Sequence, residues 1–173
     1  YNILYCYESS KNIEGVILFL QDYLSKNPYS EIGWYNLGKN YVKTKKYDKA
    51  ISFYTKVLSM LDKESKVYAD VLYKRGGAYE RIKDHTNSDK DLLLSLEINP
   101  DEPYVLNYLA YSWLERNYKI NESMDMLLIA YNQKKNDPYI IDSVAWAYYL
   151  IGDYLKAEKY ILQAVQIMPE DPI

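Results

Sequence analysis

A single cysteine, Cys6, and a single histidine, His85, leave this chain without the material for an internal disulfide or a cysteine-based zinc site. Basic residues are not in excess: the formal net charge of -3 argues against a nucleic-acid surface, which normally needs a basic stripe. No run approaches the ~18 apolar residues that cross a bilayer. The most apolar stretch, 140–151, is interrupted by Asp142 and Ser143. A basic n-region with a small-residue cleavage site is missing as well, so no signal-peptide pattern is present. Tyr1 reads as lying inside a helix already, as expected of a fragment. Glycine and proline are scarce, six of each in 173 residues, with the prolines at segment boundaries. That distribution suits a helical protein.

What is abundant is tyrosine, 22 residues, within a chain that is 49% apolar and 26% charged and can therefore build a sizeable core. One stretch organises the rest: Trp34, Leu37, Gly38 and Tyr41, followed by Ala50 and Tyr54. It recurs. Gly38 to Gly76 is 38 residues, a period of 34 plus an insertion of four at 65–68. Pro28 to Pro100 is 72 residues, two such periods plus the same four, and Pro100 to Pro169 is 69, two periods plus one. The markers divide the chain into one partial helix pair (1–30) and four complete ones (31–64, 69–102, 103–137 and 138–171). The extra residue of the fourth pair falls in its turn, at 116–121. No proline closes the second pair, so its last helix is expected to run on or join the next across 63–71.

The pattern has a packing logic. Gly38, Gly76, Ala110 and Ala145 are small where two helices cross closely, with Ala50, Ser88, Ser123 and Ala157 as the small partners on the facing helix. Tyr7, Tyr41, Tyr79, Trp113 and Tyr148 fill the space beside that contact, since helices ~8–10 Å apart leave room for little else. Each pair buries only part of its apolar face, so neighbours must stack.

These residues resemble the tetratricopeptide repeat (TPR) family over essentially the whole chain. The resemblance implies an all-α solenoid of antiparallel helix pairs stacked into a right-handed superhelix. The last two pairs, with Asn107-Tyr108-Leu109-Ala110-Tyr111, Asp142-Ser143-Val144-Ala145-Trp146 and Met168-Pro169-Glu170-Asp171-Pro172, resemble a narrower group of bacterial repeat proteins, several of them envelope-associated lipoproteins. Alanine at 110 and 145 departs from the glycine usual there. This resemblance leans the compartment towards the cell envelope or periplasm, with the cytoplasm as the alternative.

In the family, the first helix of each pair lines a concave groove that holds a peptide or partner helix. The groove-facing places here are Tyr1, Tyr5, Tyr35, Lys39, Tyr73, Gly77, Tyr104, Asn107, Tyr111, Tyr139, Asp142, Trp146 and Tyr149, nine of 13 aromatic. Tyrosine and tryptophan offer large contact area, few rotors and a polar tip, as peptide-binding surfaces use. Lys39, Lys43 and Arg81 are available for an acidic group. Against this, eight further tyrosines occupy places where the repeat packs an aromatic, and compositional drift also enriches tyrosine. One family subset clamps a chaperone's terminal carboxylate with paired Lys, Asn and Arg side chains. The matching places hold Tyr1, Tyr5, Tyr35, Asn36, Lys39, Tyr73 and Lys74, only fragments of that clamp.

Other chemistry finds little support. Arg75 stands where an apolar core residue is usual; its stem is expected to snorkel, with the guanidinium reaching solvent or a carboxylate such as Asp91, a buried switch pair being the other reading. His85 lies in the turn 84–87, where Thr86 or Asn87 could cap the next helix. Cys6 reads as a half-buried small apolar residue without a nearby base. Gly76-Gly77 sits mid-helix with no following strand, so a phosphate loop does not fit. The function expected is therefore a non-enzymatic scaffold or adaptor that takes a protein segment in a Tyr-rich groove and needs no cofactor or metal. The alternative is a regulatory module of a larger enzyme. Self-association through the last helix, which carries Ile161, Val165 and Ile167, is a further expectation.

Overall fold

The computed structural model describes residues 12–169. Tyr1, Tyr5, Cys6 and Tyr7 lie outside the described residues. Among those described, the fold is all-α, with nine helices and no strand. They are α1 (Ile13–Lys26), α2 (Glu31–Lys43), α3 (Tyr47–Leu58), α4 (Lys66–Arg81), α5 (His85–Ile98), α6 (Pro103–Glu115), α7 (Ile120–Gln133), α8 (Pro138–Leu150) and α9 (Tyr154–Ile167). The chain divides into two compact units, one ending at Ile98 and the other beginning at Asn99. Within each unit every helix packs on its neighbour in sequence, as helix pairs joined by short turns must.

Starts and stops follow local chemistry. Asn12, Ser30, Ser65, Asp137 and Asp153 cap their helices by accepting a backbone N–H of the first turn. Pro103 and Pro138 stand in the first helical turn, where a missing N–H leaves nothing unpaired. The turn inside each complete pair repeats one device. Lys45, Lys83, Asn117 and Gly152 all take positive φ, between 51° and 82°. The residue that follows donates its N–H back to the carbonyl of the aromatic place: Lys46 to Tyr41, Asp84 to Tyr79, Tyr118 to Trp113 and Asp153 to Tyr148. This left-handed closure satisfies helix-terminal carbonyls. In the α6–α7 turn a second left-handed residue, Lys119 (φ 47°), absorbs the extra residue.

Two expectations need correction. The chain does not run helically across 63–71. Instead α3 ends at Leu58, and Asp62 builds a tight turn, its carbonyl accepting the Ser65 N–H (3.2 Å) and Oγ–H (2.7 Å) and its carboxylate the Glu64 N–H (3.2 Å). Ser65 then caps α4. An Asx turn makes the break that proline makes elsewhere, and the helix it starts is 16 residues long against 13 in α2, α6 and α8. His85 does not lie in a turn but is the first residue of α5. Its cap is neither Thr86 nor Asn87 but Asp84, whose carboxylate accepts the Asn87 N–H (3.2 Å) and Nδ2–H (2.7 Å), bonds that hold it below the usual carboxylate range. At the crossings themselves, the atoms nearest Gly38 belong to the Tyr54 ring. A Cβ there would lie 2.8 Å from Tyr54 Cε1, and one at Gly76 3.0 Å from Leu92 Cγ and 3.3 Å from the Ser88 carbonyl oxygen.

In the first unit the core runs through Val16, Leu20 and Leu24 of α1, Leu37 and Tyr41 of α2, Tyr54 and Val57 of α3, and Val71 and Leu72 of α4. Trp34 and Tyr41 sandwich Phe53 at 5.6 and 5.3 Å. The second unit is cored by Ala110, Leu114, Leu127, Val144 and Ala147, which places α8 on the α6–α7 pair.

Candidate functional site

Side chains one helical turn apart share a face, so the groove-facing places of the first helices can be followed helix by helix. In the first unit these helices are α2 and α4. Tyr35 is half-buried there, and its hydroxyl donates to Asp70 Oδ2 at 3.0 Å. Burial, with Asp70 beside it, pushes the phenol up to about 12. Its ring lies 6.0 Å from that of Tyr54. Tyr35 thus braces α2 against α4. Asp70 also meets Lys74 at 3.9 Å, and the Lys74 ammonium lies 4.4 Å over the ring of Tyr73, which is half-buried. Lys39 is exposed and Gly77 half-buried on this face. The structure brings Tyr35 and Tyr73 into one chain of contacts through Asp70 and Lys74.

Behind that face, Arg75 is held by Asp91. Its Nε and Nη2 donate to the two carboxylate oxygens at 2.7 and 2.8 Å, and Nη1 donates to Thr55 Oγ1 at 3.0 Å. The pair is largely buried, with side chains 18% and 5% exposed. The reading that Arg75 meets Asp91 holds.

In the second unit the corresponding helices are α6 and α8, and their aromatics are far more open. Tyr104, Tyr111, Tyr139 and Tyr149 are 45%, 40%, 61% and 52% exposed, whereas the structural aromatics Tyr41, Tyr54 and Trp113 are at most 4% exposed. Tyr111 is pushed above its ordinary pKa by partial burial and by the nearby charge of Glu115, with Asp142 adding to the effect. Trp146 is half-buried and stacks on Tyr149 (5.4 Å, 12°), and Tyr149 leans on Tyr154 at 5.5 Å. The Trp146 indole nitrogen and Asn107 Oδ1 are buried without a hydrogen-bond partner.

A pocket of about 500 Å³ opens at the α8–α9 end of this face, lined by Asp142, Ala145, Trp146, Tyr149, Tyr154, Ala157, Glu158 and Ile161. Sequence reasoning confined to first helices missed Tyr154, Glu158 and Ile161, which come from the second helix of the pair. It also missed Asp70 as the partner of Tyr35. Among the described residues no group of His, Cys, Asp or Glu is placed to hold a metal ion, and no helix is long and apolar enough to cross a membrane.

Comparisons with known proteins agree on the repeat. Two tetratricopeptide repeat models match, one over residues 32–63 and the other over 69–102 and 143–171, together more than half of the chain. A TPR repeat-containing protein of Pseudomonas aeruginosa is 32% identical over 104 residues, 60% of this chain but 18% of that protein. The chain therefore spans under a fifth of that relative's length. Among solved structures, MamA from Desulfovibrio magneticus is similar at a TM-score of 0.80 and 12% identity, covering 99% of this chain and 94% of that one. YrrB, described as a TPR protein with an unusual peptide-binding site, is similar at a TM-score of 0.70 and 16% identity, covering 98% of this chain and 84% of that one.

Proposed function

The chain belongs to the tetratricopeptide repeat family, and from that premise we propose that it is a non-enzymatic scaffold that binds a protein segment along the open aromatic face of α6 and α8. One observation carries this reading: Tyr104, Tyr111, Tyr139 and Tyr149 are 40–61% exposed on helices whose other faces are packed. Large rigid side chains held in water by a fixed backbone gain apolar burial on binding and lose little rotamer freedom. The α2–α4 face, with Tyr35 and Tyr73 already engaged and Lys39 and Gly77 beside them, supplies a second, more polar surface of the same kind. YrrB's peptide-binding site is a precedent for the fold and not for these residues.

Photo-crosslinking tests the reading. A benzophenone amino acid placed at Tyr111 or Tyr139 should capture the same partner, and one at the 83% exposed Leu155 of α9 should not. Capture that is equal at all three sites rejects the groove. Exposed Leu155, Leu162, Val165 and Ile167 on α9 support self-association as a further property. Sedimentation at rising concentration checks it, and a strict monomer throughout rejects it.

A further inference from the structure

The walls of the α8–α9 pocket differ from their counterparts one repeat earlier in a way that specifies charge. In the preceding pair the matching places are Leu114, Ile120, Met124 and Leu127, and all four belong to the apolar cluster that seats Val144 and Ala147 of α8. In the last pair those places hold Tyr149, Tyr154, Glu158 and Ile161. A wall meant only to seat another apolar helix would be served by leucine, isoleucine and methionine. A carboxylate at the methionine place would be desolvated by such a helix at a cost of several kcal/mol unless paired.

We infer that this pocket takes a cationic side chain, lysine or arginine, presented by the partner segment of the proposed protein-binding face, on which reading the inference rests. Asp142 from α8 and Glu158 from α9 supply two carboxylates, and Trp146, Tyr149 and Tyr154 form a contiguous aromatic wall through their 5.4 and 5.5 Å ring contacts. Aromatic faces and carboxylates together hold a cation by quadrupole attraction and ion pairing, and the aliphatic stem packs on Ala145, Ala157 and Ile161. No Lys or Arg lines the pocket. Lys156 binds Asp153 at 2.8 Å and lies 5.0 Å over Tyr148, and Lys159 lies 5.9 Å over Tyr160; neither ring lines the pocket.

The test titrates the intact 173-residue chain with n-butylguanidinium and with its neutral isostere n-butylurea, following the Trp146 indole resonance by heteronuclear NMR. The guanidinium should bind saturably, about tenfold more tightly than the urea, and weaken several-fold between low and high salt. E158Q, on an exposed residue, should weaken it several-fold, and D142N combined with E158Q by about tenfold or more. Equal binding of urea and guanidinium, unchanged affinity in E158Q, or no saturable shift overturns the inference. A concentration-dependent dimer that shields Trp146 would assign the pocket to a second copy and overturn it as well. Crosslinking at Tyr111 that persists while the cation is ignored removes the pocket alone; loss of crosslinking with cation binding intact removes the groove alone.

Discussion

Arg75 and Asp91 form a two-pronged ion pair, 2.7 and 2.8 Å, where the other complete repeats place only aliphatic or aromatic side chains. The matching places are Leu37, Leu109 and Val144 for the arginine and Phe53, Met126 and Tyr160 for the aspartate. Removing one partner leaves a charge that is 5% or 18% exposed without its counterion. Asp91→Ala should therefore cost about 3 kcal/mol in urea unfolding. The double substitution Arg75→Leu with Asp91→Met restores the pattern of the fourth repeat and should be as stable as the parent or more so. A double variant as unstable as Asp91→Ala alone would show that the pair organises more than its own site.

The left-handed turn residues make a second prediction. Gly152 has φ 82°, and a Cβ added there would meet nothing within 4 Å, so Gly152→Ala tests backbone strain alone. It should lower stability by about 1 kcal/mol. Lys83 carries φ 63° with a side chain, and Lys83→Gly should raise stability by several tenths of a kcal/mol, the relief being partly offset by a freer unfolded chain. Thermal unfolding of the two variants should move in opposite directions.

At the α2–α3 crossing, a methyl on Gly38 would sit 2.8 Å from the Tyr54 ring. Gly38→Ala gains helix propensity of about 1 kcal/mol but overpacks by more, for a net loss of about 1 kcal/mol. In a Tyr54→Leu background, which reproduces the Ala110–Leu127 combination, the same substitution should be neutral or stabilising. A double-mutant cycle measures this coupling, and additive effects would contradict the geometry.

The hydrogen bond from Tyr35 to Asp70 predicts a response to alkali. The phenol is raised from its ordinary 10.0 to about 12 by burial and by Asp70, so folding favours the protonated form. Its contribution is whole below pH 10 and is lost as pH rises towards 12. Unfolding free energy should fall over that interval, and less steeply in Tyr35→Phe. An identical slope in the two proteins would mean that the bond is absent in solution.

Period, crossing places and most boundaries were legible because packing in a repeat is a local rule applied over and over. Gly38, Ala110 and Pro138 announce it from sequence alone. The break at Asp62–Ser65 was not, since an Asx turn lacks the plain signature of proline. Nor was the different fate of the groove-facing tyrosines. Tyr35 and Tyr139 both stand on first helices, yet Asp70, 35 residues away, engages one, while the other stands 61% exposed. The Tyr154 and Glu158 walls were readable in principle, as departures from Ile120 and Met124, but only once the structure showed which faces meet.

That contrast between engaged and open tyrosines allows binding to be separated from folding. Tyr139 and Tyr111 are 61% and 40% exposed, so alanine at either removes less buried area than at a core aromatic and should cost about 1–2 kcal/mol. Tyr54 is 2% exposed and fills the Gly38 crossing, so Tyr54→Ala should cost about 3–5 kcal/mol. If the α6–α8 face binds a protein segment, Tyr111→Ala with Tyr139→Ala should leave the chain cooperatively folded while weakening capture of the crosslinked partner about tenfold or more. Capture undiminished in this well-folded variant would mean that the open tyrosines are a surface consequence of composition, and the binding face would have to be sought elsewhere on the chain.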